Sequence, residues 1–215
     1  MGSAYYPILI AVFTALVIIS NVTATKGVSF FSGLIITDGG FIVFPLTYVI
    51  GDVLSEVYGF KAARRAIFLG FAMNILAALT FWVTIYLPAA DFYPNQEHFE
   101  NIVHAYTQLI LAGLAGFIVG QTINAWVVVL IKERTKEKHL WARLVGSTFA
   151  GQLGDTVVFC SIAAGAIGIS TFGDFVTYTA LGWFYKTAVE VIMLPVTYRV
   201  IAYIKRHEPT YGATV

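Results

Sequence analysis

Ionisable side chains stand inside apolar stretches of this chain, at spacings that place them on common helical faces. Asp52 and Glu56 lie four residues apart in one such stretch, and Lys186 and Glu190 lie four apart in another. Side chains three or four residues apart share a face of an α-helix. A charged group at the centre of a bilayer costs roughly 2.5–3.5 kcal/mol on insertion scales. These residues are therefore candidates for binding a solute or carrying charge.

Amide side chains extend this polar set. Gln152 and Asp155 lie three residues apart, and further amides occur in apolar surroundings at Asn21, Gln121 and Asn124. Amides within membrane helices often bond neighbouring helices. They are also suited to bind the carbonyl oxygen or ring nitrogen of a purine-like solute. The sequence leaves both interpretations open.

A repeated spacing relates the two halves of the chain. The dipeptide Gly-Asp occurs at 51–52 and again at 154–155, and Asn21 and Asn124 are offset by the same 103 residues. Each half holds three apolar stretches, and an odd number of spans requires the second half to insert upside down. Inverted repeats with polar groups near the midplane are typical of secondary transporters. We therefore predict two inverted three-helix repeats.

The elements that position these residues are transmembrane helices. Of 215 residues, 58% are hydrophobic and 12% are charged, and the mean hydropathy is +0.78. A soluble domain carries about 25% charged residues. The composition predicts an all-α integral membrane protein that forms a single transmembrane domain over residues 1–215. Six spans are expected near residues 8–25, 41–58, 65–86, 109–131, 143–161 and 178–203.

Basic residues orient the predicted spans. Of the 13 lysines and arginines, three lie between spans two and three, five between spans four and five, and three at the end of span six. Cytoplasmic segments carry the excess of Lys and Arg. Both termini are therefore predicted to be cytoplasmic. The remaining two are Lys26 and Lys186.

Residues 26–40 are too short for another span and too apolar for a solvated loop. The segment ends in Asp38 and two glycines, which is a turn signal. It is interpreted as a hairpin or a re-entrant piece, because such backbone is tolerated at membrane depth only when it packs in protein or lines a cavity.

Several function classes are excluded or disfavoured. A net charge of +1 does not indicate the basic surface that nucleic-acid binding requires. The single cysteine, Cys160, cannot form an internal disulfide. All four histidines fall in predicted connections or the tail, so no histidine-based catalytic or metal site is expected within the membrane. The sequence has no G-x-x-x-x-G-K-[ST] motif for binding ATP. Neither enzymatic activity nor a cofactor is expected.

Longer motifs around the same residues point to a family. The segment FPLTYVIGDVLSEVYGF at 44–60 resembles the signature of the queuosine precursor transporter family, earlier named as a vitamin uptake family. Similar family segments are Ser20-Asn21 with Lys26, GSTFAGQLGDT at 146–156, and Tyr185-Lys186 continuing through Glu190. The resemblance spans residues 8–208.

The resemblance implies a multi-pass protein of the bacterial cytoplasmic (inner) membrane that imports 7-deazaguanines for tRNA modification. The implied substrates are 7-cyano-7-deazaguanine, 7-aminomethyl-7-deazaguanine or queuine. An alternative is the substrate-capture subunit of an ATP-driven vitamin-type importer. Proton coupling and facilitated diffusion are equally compatible with the sequence, and so is a homodimer.

Each candidate side chain has a role that suits such a substrate. Asp155 or Asp52 would accept the adjacent N–H and amino groups of a guanine-like edge. The amides would donate to its carbonyl oxygen and ring acceptor, namely Gln152, Asn21 or Asn124. Aromatic side chains would stack on the ring, with Phe44 and Tyr48 as candidates.

Three charged residues have both functional and structural interpretations. Glu56 would bind an aminomethyl cation, or would pair with Arg64 or Arg65. Lys186 and Glu190 would relay charge or form a structural ion pair with each other, and Lys26 is a further candidate for coupling or charge relay.

Overall fold

A computed structural model describes residues 3–31, 35–135, 140–209 and 211. This part of the chain is mostly helical and contains six α-helices and one two-stranded sheet. The helices are α1 Tyr6–Ala24, α2 Phe44–Tyr58, α3 Phe60–Ile85, α4 Gln96–Thr135, α5 Leu140–Ala163 and α6 Phe172–His207. The strands are β1 Gly27–Phe30 and β2 Ile35–Asp38, and a short 3₁₀ turn, Gly39–Ile42, leads into α2.

Four helical segments are long and apolar enough to cross a membrane: Tyr6–Ala24, Lys61–Ile85, Gln96–Asn124 and Phe172–His207. Large apolar side chains along these segments are exposed, as expected for surfaces that face lipid. The 15 residues of α2 extend only about 22 Å, which is less than the roughly 30 Å of a bilayer core. The four segments identify a multi-pass membrane protein.

The fourth helix is longer than the sequence suggests. An apolar span was predicted at 109–131, with a short amphipathic helix starting after Asn95. In the structure both belong to one continuous helix of 40 residues that begins at Gln96. The predicted connection is therefore largely helical.

Two compact units divide the chain differently from its linear halves. Unit 1 comprises Met1–Ala24, Gly39–Val103 and Ala188–Val215, and unit 2 comprises Thr25–Asp38 and His104–Thr187. Unit 1 thus contains α1, α2, α3, the beginning of α4 and the end of α6. Unit 2 contains the two strands, most of α4, α5 and the beginning of α6.

Local sequence signals explain how α2 is delimited in unit 1. Pro45 stands in the first turn, where its missing N–H costs no helical hydrogen bond. Gly59 ends α2 with φ of 81° and donates its N–H to the Ser55 carbonyl at 3.0 Å. Only glycine adopts this conformation without strain, and α3 begins at the next residue. The motif therefore produces a sharp turn between α2 and α3.

A buried carboxylate fastens the chain ends within unit 1. Glu208 is only 5% exposed and follows the last residue of α6. It accepts hydrogen bonds from the Ser3 hydroxyl, from the Ala4 and Tyr5 backbone N–H groups and, at 2.6 Å, from the Tyr58 hydroxyl. These bonds join the start of α1, the end of α2 and the end of α6.

In unit 2 the strands pair as an antiparallel hairpin, with Gly27 opposite Asp38. The Asp38 carboxylate accepts a 2.5 Å hydrogen bond from the hydroxyl of Tyr178, a buried residue of α6. This bond fixes the end of β2 against α6.

Candidate functional site

An ion pair joins α5 and α6 inside unit 2. Lys186 Nζ lies 2.6 Å from Asp155 Oδ2, and the two side chains are 15% and 24% exposed. The ammonium also lies 5.5 Å from the centre of the Phe159 ring, within the range of a cation–π interaction. Partly buried partners of this kind are costly to separate, because each leaves the other uncompensated. Lys186 thus neutralises Asp155 in this arrangement.

Glycines of α4 give Asp155 the room it occupies. A Cβ atom added at Gly116 would lie 2.9 Å from Asp155 Oδ1 and 2.8 Å from its backbone oxygen. One added at Gly120 would lie 2.8 Å from Asp155 Cβ and 2.9 Å from the Gly151 carbonyl oxygen. Small residues four apart permit such close approach of membrane helices. The position of the carboxylate therefore depends on two residues of another helix.

Asn124 borders the same α4–α5 contact. A Cβ atom at Gly151 would lie 2.9 Å from Asn124 Cβ. Asn124 Oδ1 is buried and accepts no hydrogen bond from any described residue. A buried acceptor without a protein donor is available to an N–H group of a ligand or to water. Asn124 therefore lies along the same α4–α5 contact as Asp155, and we call Asn124, Asp155 and its partner Lys186 the Asp155 cluster.

Unit 1 presents a carboxylate in different surroundings. Asp52 is exposed on α2, and no hydrogen bond or ion pair joins it to another described residue. Nothing within 4 Å would meet a Cβ atom at the preceding Gly51. Phe44 and Tyr48, earlier on the same helix, make an edge-on ring contact with centroids 4.9 Å apart. Asp52 is thus available to a cation or a proton.

Comparison with known proteins identifies the family. The sequence profile of a family described as "Putative vitamin uptake transporter" matches residues 38–200. This chain belongs to that family. The match confirms the resemblance inferred from the motif around Asp52, and it includes both Gly-Asp dipeptides and Lys186.

Two relatives of this vitamin uptake family member carry more specific names. A "Probable queuosine precursor transporter" of Bacillus subtilis is 32% identical over 183 residues, which is 83% of this chain and 77% of that protein. A protein of the same name from Haemophilus influenzae is 25% identical over 126 residues, covering 58% of this chain and 50% of that protein. No solved structure matches the chain. The family's transporter description points away from an enzyme.

The remaining predicted site residues of this family member have surroundings of several kinds. Glu56 is 57% exposed and pairs with Lys205 of α6 at 2.6 Å. This partner differs from the neighbouring arginines that the sequence suggests. Lys26 is exposed immediately before β1. Gln152 is half-buried on α5, one turn before Asp155.

Lys186 bonds to Asp155, a partner that the spacing along α6 does not suggest, and its predicted pairing with Glu190 stays a prediction. A periodic pattern shows only neighbours on the same helix, whereas Asp155 lies 31 residues away on α5. The side chains of Glu190 and Gln121 lie outside the described part of the structure.

Two polar contacts were not anticipated from the sequence. Asn74 of α3 is fully buried and bonds to Asn21, yet it went unnoticed within the apolar stretch 65–86. The sequence signal for Asn74 is a lone amide side chain within an apolar stretch. The sequence indicates Asp38 only as part of a turn signal, and its bond to Tyr178 joins residues 140 positions apart.

Proposed function

We propose that this protein is a secondary transporter that imports 7-deazaguanine precursors of queuosine across the bacterial cytoplasmic membrane by alternating access. The observation that carries the proposal is the Asp155 cluster, a partly buried ion pair beside an available amide oxygen in a member of a transporter family. The printed names of both relatives support the substrate class. Six spans, inverted repeats and cytoplasmic termini belong to the same proposal.

An Asp–Lys pair complements the edge of a guanine-like base. That edge carries a ring N–H and an amino group side by side, with a carbonyl oxygen next to the N–H. A carboxylate accepts from both N–H groups in the bidentate manner, and an ammonium donates to the carbonyl oxygen. Bound substrate would therefore replace the Lys186–Asp155 bond. Its two N–H groups would bond to Asp155, and its carbonyl oxygen would accept a bond from Lys186. The charges remain compensated throughout the exchange.

Asn124 would add a further acceptor to this site. The sequence suggests that Asn124 donates to the carbonyl oxygen of the substrate. Its buried Oδ1 is better suited to accept a hydrogen bond from an N–H group of the substrate. Gln152, one turn before Asp155, keeps both donor and acceptor capacity. Phe44 and Tyr48 of unit 1 stay candidates for stacking on a base, as the sequence suggests.

Asp52 is our candidate for coupling transport to protons. Lys186 already compensates Asp155 and Lys205 compensates Glu56, whereas no described cation pairs with Asp52. An uncompensated carboxylate is the one whose charge a proton neutralises without displacing a partner. The same carboxylate would attract the ammonium of an aminomethyl substrate.

Uptake of labelled 7-cyano-7-deazaguanine into proteoliposomes that contain only this chain tests the proposal. We expect accumulation that requires an inward proton gradient. Equilibration that ignores the gradient would replace coupling with facilitated diffusion. Binding without uptake would favour a capture subunit that needs an ATP-driven module. Absence of both binding and uptake in intact protein would contradict the substrate class.

Asp91 provides a matched control for the carboxylate variants. It is exposed in the connection between α3 and α4, and no hydrogen bond joins it to another described residue. Asp91→Asn should transport like the wild type. Loss of uptake in this variant would show that the assay responds to general charge removal.

A further inference from the structure

An amide on α3 controls the orientation of Asn21. Asn74 is fully buried, and its Nδ2 donates to the backbone carbonyl of Gly70 at 2.9 Å. Asn21 Nδ2, on α1, donates to Asn74 Oδ1 at 2.9 Å. The three groups form a short chain of hydrogen bonds within unit 1.

The backbone carbonyl determines the direction of this chain. A carbonyl only accepts, so the atom of Asn74 that faces Gly70 must be the amide nitrogen. The Asn74 oxygen then faces Asn21, and Asn21 must present its own nitrogen in return. Asn21 Oδ1 is consequently directed away from Asn74.

Close packing keeps the two helices in register. A Cβ atom at Gly70 would lie only 3.3 Å from the Phe13 ring of α1, one turn of α3 before Asn74. Asn21 is half-buried, and its Oδ1 accepts no hydrogen bond from the described residues. The helix pair therefore presents an oriented carbonyl oxygen.

We propose that Asn74 is a positioning residue that holds Asn21 as a hydrogen-bond acceptor for an N–H group of the transported molecule. The inference rests on the proposed function, and it reverses the donor role that the sequence suggests for Asn21. The contact belongs to one step of transport and does not require simultaneous contact with Asp155.

A fixed acceptor makes the protein selective for substrates that carry donors. A 7-deazaguanine carries a ring N1–H, a 2-amino group and a five-membered-ring N9–H. A site with an oriented acceptor disfavours the analogue that lacks the matching donor, because the oxygen of the half-buried Asn21 then loses its hydrogen bond to the substrate. If Asn21 were able to rotate, its nitrogen would replace the oxygen and this discrimination would disappear.

Three substitutions of Asn74 separate positioning from packing. Asn74→Leu removes both hydrogen bonds at similar volume and frees the Asn21 amide. Asn74→Ser keeps a hydroxyl that bonds the carbonyl four residues earlier, as Thr80 bonds Leu76, but it no longer reaches Asn21. Asn74→Asp, protonated in this apolar site, donates to Gly70 and accepts from Asn21. Thr80→Val is the control on the same helix, because Thr80 is exposed and bonds only its own helix.

The test measures dissociation constants of purified protein for 7-cyano-7-deazaguanine, its analogue without the 2-amino group, and its 9-methyl derivative. We expect the wild type, Asn74→Asp and Thr80→Val to prefer the parent over at least one analogue by about tenfold. Asn74→Leu and Asn74→Ser should reduce the ratio of the two dissociation constants to about twofold or less, because each variant loses the oriented acceptor. Asn74→Ser serves as the measurement if Asn74→Leu does not fold.

The outcomes distinguish this inference from the proposed function. An unchanged ratio in folded Asn74→Leu or Asn74→Ser overturns the positioning role and leaves the transport proposal standing. An equally reduced ratio in Asn74→Asp also overturns it, because packing rather than hydrogen bonding would then be responsible. If the wild type binds none of the three compounds, both the proposed function and this inference are contradicted.

Discussion

The two membrane carboxylates offset by 103 residues have different surroundings. Asp155 of unit 2 is partly buried, contacts α4 through glycine, and bonds Lys186 at 2.6 Å. Asp52 of unit 1 is exposed, with open space around the preceding Gly51 and no described cation bonded to it. One carboxylate is therefore compensated by the protein, whereas the other is available.

The difference arises from neighbours that the repeated spacing does not share. Residues of unit 2 that surround Asp155 are Lys186, Gly116 and Gly120. At the same offset the first half carries Val83, Phe13 and Val17. The repeated spacing thus places an acid in both halves of the sequence, and the surroundings of the two acids differ. We expect binding at Asp155 and proton transfer at Asp52.

Asp155→Asn should have the largest effect. The substitution leaves the Lys186 ammonium without its anion, and breaking a buried pair costs about 3–5 kcal/mol, with the lower end expected here because both side chains are partly exposed. Uptake should fall to background. Asp52→Asn breaks no described contact and should change the free energy of unfolding by less than about 0.5 kcal/mol. Unfolding titrations in mild detergent compare the two, and equal destabilisation would contradict the difference between the units.

Removing both partners should separate stability from function. The double variant Asp155→Asn with Lys186→Met removes both members of the described ion pair, so it should recover at least about 2 kcal/mol of the stability lost in Asp155→Asn. Uptake should remain absent, because the pair is gone from the site. If the double variant restores uptake as well, the pair is structural and the substrate binds elsewhere.

The glycine contacts of α4 predict effects of opposite sign along one helix. Gly120→Ala places a methyl group against the backbone of α5 and should cost about 1–3 kcal/mol. Gly113→Ala, with nothing within 4 Å, should stabilise the helix by up to about 1 kcal/mol. Thermal denaturation of the two variants tests this contrast. Gly51→Ala in unit 1 is a second control, and destabilisation by Gly51→Ala equal to that by Gly120→Ala would remove the contrast.

The smallest effect is expected at the exposed pair. Glu56 and Lys205 are 57% and 27% exposed, and exposed pairs contribute about 0–1 kcal/mol. Glu56→Gln should lower the free energy of unfolding within that range, and added salt should diminish the difference further. A loss well above 1 kcal/mol that persists in high salt would show that Glu56 is more than a surface partner. Chemical unfolding at two salt concentrations provides the comparison.

The helices could be predicted from the sequence because hydropathy acts over continuous segments. Each of the six apolar stretches falls on one of the described helices, whereas the extension of α4 back to Gln96 depends on residues too polar to register as a span. The family followed from the long motif around Asp52, and the comparisons confirm it.

Partners across helices could not be predicted in the same way. The spacing along α6 suggests only Glu190 as a partner of Lys186, whereas the structure also brings Asp155 of α5 to within hydrogen-bonding distance. Glu56 and Lys205 are 149 residues apart, and Asn21 and Asn74 are 53 apart. Such pairs depend on helix packing, which a single sequence does not encode in its spacing. The glycines facing Asp155 are likewise identified as its neighbours only once α4 and α5 are in contact.

Exchange and accumulation, measured in the same proteoliposomes, test the division of roles between Asp52 and Asp155 most directly. Counterflow of labelled 7-cyano-7-deazaguanine at equal pH reports binding and translocation, and gradient-driven accumulation reports coupling. We predict that Asp52→Asn retains counterflow but loses accumulation, whereas Asp155→Asn loses both. Accumulation by Asp52→Asn at the wild-type level, or counterflow by Asp155→Asn, would contradict the account.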